Sequence, residues 1–195
     1  MNTITLAVLA GGEGRRMGRA KGNLRVGGRG ILEHLLERWK WPGPTMLVTA
    51  PGREYPLGWE RFDREISDPV GGEGPLRGIV TAIEALTTSA LVVATCDMPL
   101  VSGEQFQFLA AELDGRPGAV GVMLRRGESI EPFPSIYRAA ALSRLKQQLL
   151  NGRRAVHSLS EDPSFALADA PPHWPAEWWT NLNEPTDLAD FNAAV

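Results

Sequence analysis

The stretch that most restricts how this chain can fold is residues 4–22, ITLAVLAGGEGRRMGRAKG. Ile4, Leu6, Val8 and Leu9 form a nearly continuous apolar run, long enough for one buried strand and too short for a helix. The run stops at Ala10-Gly11-Gly12, and Gly14, Gly18 and Gly22 follow with Arg15, Arg16 and Lys21 between them. Glycines let backbone amides approach a polyanion closely, and the arginines and lysine supply the charge a triphosphate demands. The spacing is neither a P-loop, which would close on Gly-Lys-Ser/Thr, nor G-x-G-x-x-G. A strand opening into such a loop predicts a phosphate cradle; the competing reading is a plain surface turn.

The chain has 195 residues, enough for one substantial domain, and we read 1–195 as a single unit. Its formal net charge of −3 gives no reason to expect nucleic acid or an acidic membrane as partner. No apolar run approaches the roughly 20 residues of a membrane span. Cys96 is the sole cysteine, which excludes an internal disulfide and a cysteine zinc cluster. A start that runs straight into a strand, with no leader pattern, completes the expectation of a cytoplasmic protein.

Further along, apolar runs alternate with helical spacing. Leu24–Val26 reads as a short extended piece turned at Gly27–Gly30, and Ile31 to Trp39 as an amphipathic helix carrying His34 at its boundary. Met46–Ala50, Glu65–Asp68, Ala90–Cys96, Ala119–Leu124 and Phe165–Ala168 read as strands. Leu76–Leu86, Ser102–Leu113, Ala139–Leu150 and Pro185–Phe191 read as helices, with Ser102 as an N-cap. Pro132 and Pro134 restrict 130–137 to an edge strand or an extended crossing segment. Residues 53–63 and 171–179 read as irregular. Strands alternating with helices predict an α/β fold with a mostly parallel sheet covered on both faces.

Ligands of open α/β sheets bind beyond the carboxyl ends of the strands. Three such ends then matter together: Gly11 to Lys21, Asp68 to Gly78, and Asp97. A carboxylate beside a bound triphosphate is a natural Mg²⁺ ligand, and Asp97, directly after a very apolar strand and two residues before Pro99, is the better candidate. Its alternative role is to initiate a turn.

With those residues in view, the chain resembles the molybdenum cofactor guanylyltransferases within the nucleotidyltransferase superfamily. Leu9-Ala-Gly-Gly12, Arg16-Met-Gly18 and Lys21 resemble the loop L-A-G-G-x-x-x-R-M-G-x-D-K. Asp68 with Gly74–Gly78 resembles D…G-P-L-A-G, and Cys96–Pro99 resembles C-D-x-P. Gly152–Val156 resembles G-x-R-x-V, and Asn181–Pro185 resembles N-x-N-x-P.

The resemblance implies a three-layer, Rossmann-like α/β/α fold and transfer of GMP from GTP to molybdopterin cofactor, with Mg²⁺ and release of pyrophosphate. It implies Leu9, Ala10, Gly11, Gly12 and Gly78 lining the nucleotide, and Lys21 and Arg16 on the phosphates. It further implies Asp68 on the guanine or its sugar, Asp97 on the metal, and Asn181 and Asn183 on the acceptor side. Cofactor-delivery or molybdoenzyme-maturation proteins are the partners it suggests.

Three positions depart from the pattern. Ala20 stands where an aspartate usually precedes the lysine, Thr49 where an asparagine often meets the nucleotide, and Glu131–Pro134 where His-Pro is common. Trp174, Trp178 and Trp179 read as packing over a sheet edge or an oligomer contact, with an aromatic pterin pocket as the alternative. Cys96 reads as a small buried hydrophobe. Arg125-Arg126 and Arg153-Arg154 read as solvated turns, the second pair within reach of a cofactor phosphate. Two other functions stay open: a same-fold cytidylyltransferase or sugar-phosphate nucleotidyltransferase, and a non-catalytic nucleotide-binding scaffold.

Overall fold

The computed structural model describes residues 3–12, 14, 16–18, 20–52 and 54–194; Arg15, counted above among the loop cations, lies outside them. Among the described residues the strands are β1 (Ile4–Leu9), β2 (Arg25–Val26), β3 (Arg29–Gly30), β4 (Thr45–Thr49), β5 (Arg64–Ser67), β6 (Ala90–Thr95), β7 (Gly121–Arg126), β8 (Ser129–Arg138) and β9 (Phe165–Asp169). The α-helices among them are α1 (Ile31–Trp39), α2 (Pro75–Glu84), α3 (Gly103–Asp114), α4 (Leu142–Leu150) and α5 (Pro185–Ala194).

Seven strands form one sheet in the order β5-β4-β1-β6-β8-β7-β9, and β2 and β3 pair as a small separate hairpin. Neighbours run parallel except at β8, which is antiparallel to both β6 and β7. The expected mostly parallel α/β/α architecture is what the chain adopts. Leu6, Ala7 and Val8 of β1 and Leu91, Val92 and Val93 of β6 are fully buried, which is why both strands read as unbroken apolar runs rather than alternating ones.

The helices cover the sheet with their apolar stripes. Ile31, Leu32, Leu35 and Trp39 of α1 are buried, and Trp39 meets Phe106 of α3 edge-on at 5.1 Å. α2 packs on β1, β4, β5 and β6 and against α4. Ser102 caps α3 as expected: its hydroxyl accepts the N–H of Glu104 while the Gln105 side chain accepts the N–H of Ser102. His34 sits at a boundary, its Nε2 donating to the carbonyl of Pro99.

One expectation is corrected. The segment 130–137, placed by its prolines at an edge, lies in β8, an interior strand. A proline removes a ladder donor only where a ladder exists. Residues 135–138 pair with β6, and on the β7 side pairing jumps from Met123↔Ser135 to Leu124↔Glu131. Pro132, Phe133 and Pro134 therefore fall in a bulge outside both ladders, so neither missing N–H costs a bond. Smaller differences are the return strand Arg29–Gly30 inside the expected turn and short 3₁₀ turns at Trp59–Arg61 and Ala176–Trp179 in the segments read as irregular.

Candidate active site

The carboxyl ends of β1, β4, β5 and β6 open into a cleft of about 780 Å³. One side is built from Gly11, Gly12, Ala50, Asp68 and the Gly71–Pro75 loop, and the other from Thr95, Asp97, Phe133, Asn181 and Asn183. Arg16 and Lys21 also line it. Leu9 and Gly78 contribute to the wall, so most of the residues singled out from sequence converge on one space. Ala10 does not: its N–H is donated to Val48 Oxygen within the sheet at 2.8 Å, which leaves that amide nothing to offer a ligand.

The glycines of the second loop have local reasons. Gly74 takes φ 76° just before Pro75 starts α2, and both residues line the cleft. At Gly78 an added Cβ would stand 3.1 Å from Leu9 Cδ2 and 3.8 Å from Asp68 Oδ2, so any side chain there would press on the wall of the cleft. Asp68 itself is partly buried. That burial raises its pKa above the ordinary carboxylate value, with the Thr81 hydroxyl and Arg77 acting the other way and Glu73 adding to the rise. Its Oδ1 is buried without a hydrogen-bond partner among the described residues. Such an acceptor-only oxygen suits a ligand that brings an N–H or O–H.

At the centre of the cleft, Lys21 Nζ donates to Asp97 Oδ2 at 2.5 Å and to Asn183 Oδ1 at 2.8 Å. The resemblance implies separate roles for the two, Lys21 on the phosphates and Asp97 on the metal; the fold makes their side chains direct partners. Their side chains are mostly shielded, at 19% and 16% exposure, so the attraction is stronger than that of a surface pair. Asp97 Oδ1 is buried and has no partner among the described residues. Arg16 reaches Glu184 at 3.7 Å with both groups largely in solvent. Cys96 is buried, and burial pushes its thiol pKa well up, as expected of a packing residue.

The two other departures also find places. Thr49 gives its hydroxyl to Glu65, whereas the lining at the end of β4 comes from Val48 and Ala50. Phe133, carried by the bulge of β8 within the Glu131–Pro134 departure, stands among the cleft residues, a role the sequence analysis does not assign it. Its signal was present in Pro-Phe-Pro, a tripeptide unsuited to continuous pairing, but nothing local says what it will face. Trp174 and Trp179 are buried by each other, by Trp178 and by Phe108 of α3, and the Arg126 guanidinium lies 5.6 Å over the Trp179 ring. None of the three tryptophans lines the cleft. Arg125 and Arg153 are paired with Asp169 and Glu161.

Residues 6–165 match the model of the MobA-like NTP transferase domain. The chain belongs to this family. Among MobA-like relatives, it is 35% identical over 93% of its length, and 91% of the relative's, to a protein of Mycolicibacterium paratuberculosis named "Probable molybdenum cofactor guanylyltransferase". It is 27% identical over 95% of its length, and 90% of the relative's, to the molybdenum cofactor guanylyltransferase of Vibrio cholerae. The crystal structure of molybdopterin-guanine dinucleotide biosynthesis protein A from Archaeoglobus fulgidus superposes with a TM-score of 0.79 at 25% identity, covering 97% of each chain. The chain is thus a nucleotidyltransferase of molybdenum cofactor biosynthesis. Among the described residues no helix is long and apolar enough to cross a membrane.

Proposed function

We propose that the protein transfers GMP from GTP to molybdopterin cofactor in a Mg²⁺-dependent reaction, releasing pyrophosphate. The observation that carries the reading is the Lys21–Asp97–Asn183 cluster between the two sides of one cleft. On the side toward β4 and β5 lie glycine backbone, the start of α2 and the unpartnered oxygen of Asp68, a set that suits a nucleotide. On the β6 and β8 side lie Phe133 and two asparagines, a set that suits a flat, hydrogen-bonding acceptor.

Attack by the acceptor's terminal phosphate oxygen on the α-phosphorus forms one P–O bond and breaks the bond to the β-phosphate bridge. The reaction asks the protein to hold two polyanions in line and to offset their charge. Lys21, with two of its three N–H bonds held by Asp97 and Asn183, keeps one for a phosphate oxygen at the reacting centre. Arg16, largely in solvent beside Glu184, suits the outgoing pyrophosphate.

Mg²⁺ fits the site. Asp97 Oδ1 is a hard oxygen donor with no other partner among the described residues, and magnesium commonly takes one or two carboxylates with the rest of its shell from phosphate and water. Bound there, the ion would neutralise charge on the phosphates. The partner oxygen, Oδ2, stays with Lys21.

Melting shifts with GTP, CTP, ATP and UTP in Mg²⁺ test the reading, because a ligand at 100 times its Kd stabilises by ~2.7 kcal/mol. A shift with GTP is expected. A shift with CTP alone would transfer the reading to a cytidylyltransferase, and no shift with any nucleotide would favour a scaffold. Delivery and maturation proteins as partners remain part of the proposal and would be sought by co-purification.

A further inference from the structure

We infer that Asn183 is a positioning residue for Lys21, setting the direction in which the ammonium meets the triphosphate before any acceptor arrives. The inference rests on the functional reading above and adds a role to Asn183 beyond contact with the acceptor. Lys21 lies at the start of a single 3₁₀ turn, and the residue before it, Ala20, has no polar side chain to restrain it. A four-carbon stem with no local restraint leaves an ammonium many positions. Here its orientation comes from the opposite end of the sequence.

Asn183 can do this because it is itself fixed. Its N–H and that of Glu184 are both accepted by Asp187 Oδ2, at 2.8 and 2.9 Å, and Leu182 donates its N–H to the Asp97 carbonyl at 2.8 Å. The side-chain oxygen is therefore presented from a segment tied at two points. Asp97 cannot give direction alone, since its unpartnered Oδ1 is the atom proposed for the metal and the carboxylate would answer to both charges. A neutral amide oxygen orients the ammonium without cancelling the charge that a phosphate needs.

The test is a double-mutant cycle on nucleotide binding by the full-length protein, measured calorimetrically without acceptor. It is run with whichever nucleoside triphosphate the wild type binds, GTP being expected. Asn183→Ala and Asn183→Leu should each weaken binding about tenfold, and Lys21→Ala should weaken it at least as much. Adding Asn183→Ala to Lys21→Ala should cost nothing further, since the group it positions is gone. A contact made only with the acceptor, or a role in folding alone, would not give that coupling; melting curves confirm that each variant is folded. Wild-type affinity in both Asn183 variants, or losses that simply add with that of Lys21→Ala, would overturn the inference. A wild type that bound no nucleoside triphosphate would overturn the functional reading, and the inference with it.

Discussion

Leu182 donates its backbone N–H to the carbonyl of Asp97 across 2.8 Å, joining the segment before α5 to the end of the central strand β6. Residues 85 positions apart in sequence thus share one short junction, and the side chains on either side of it, Asp97 and Asn183, both hold Lys21. Segments from both ends of the chain meet at the centre of the cleft.

Replacing Asp97 by alanine should remove magnesium dependence and slow pyrophosphate release by ~10²–10³, the range typical for loss of one preorganised charge-stabilising group. Chelation of the metal should slow the wild type by a similar factor and leave Asp97→Ala almost unaffected. Steady-state pyrophosphate assays with and without chelator check both statements.

Arg16→Ala separates catalysis from stability. Its pairing with Glu184 is long and solvent-exposed, and exposed pairs are worth at most about 1 kcal/mol. The melting temperature should therefore barely change, while turnover should drop by ~10²-fold if the guanidinium meets the phosphates as proposed. Calorimetric melting beside the pyrophosphate assay gives the two readings.

Gly78→Val should close the cleft without unfolding the chain. Its first carbon already comes within 3.1 Å of a Leu9 methyl, a flexible neighbour, so the fold should yield at a cost of about 1–3 kcal/mol. Nucleotide affinity should fall more than tenfold, because Leu9 and Asp68 are the groups displaced. Titration calorimetry with GTP would show it.

Asp68 should leave a signature in the pH dependence of stability. Burial gives it a higher pKa in the folded chain than in the unfolded one, so the folded state binds its proton more tightly. Its contribution is favourable at low pH and declines as pH rises from the ordinary value of 3.8 through the raised one. Asp68→Asn lacks that decline, so its melting temperature should gain on the wild type across this window and keep the gain above it. Melting curves of the two proteins at stepped pH provide the comparison, and the same substitution should weaken nucleotide binding.

Ser102→Ala serves as the counterpart far from the chemistry. Loss of the α3 cap should cost ~1 kcal/mol, or roughly 2–4 °C in melting temperature for a chain of this size, with the nucleotide affinity unchanged.

Much of this arrangement could be read from residues alone, for identifiable reasons. β1 and β6 are buried on both faces, so their apolar runs are unmistakable, and the rule that ligands gather past strand ends then singled out Lys21, Asp68 and Asp97. What could not be read is pairing between distant groups. Nothing near Lys21 says that its partners sit at 97 and 183, and nothing near Ala10 says that its amide is spent on Val48. The prolines of β8 misled because a proline speaks only about its own missing donor. Whether the neighbouring strand reaches that point is decided by tertiary register.

That register has a consequence for the whole cleft. β6 and β8 are zipped together only as far as Val93 and Ser135, and beyond that rung they part like the arms of a fork, with Asp97 on one arm and Phe133 on the other. Had the rungs continued, backbone would fill the crotch and narrow the cleft from that side. Under the proposed function, the unzipped rungs are where a second reactant would lie beside the first.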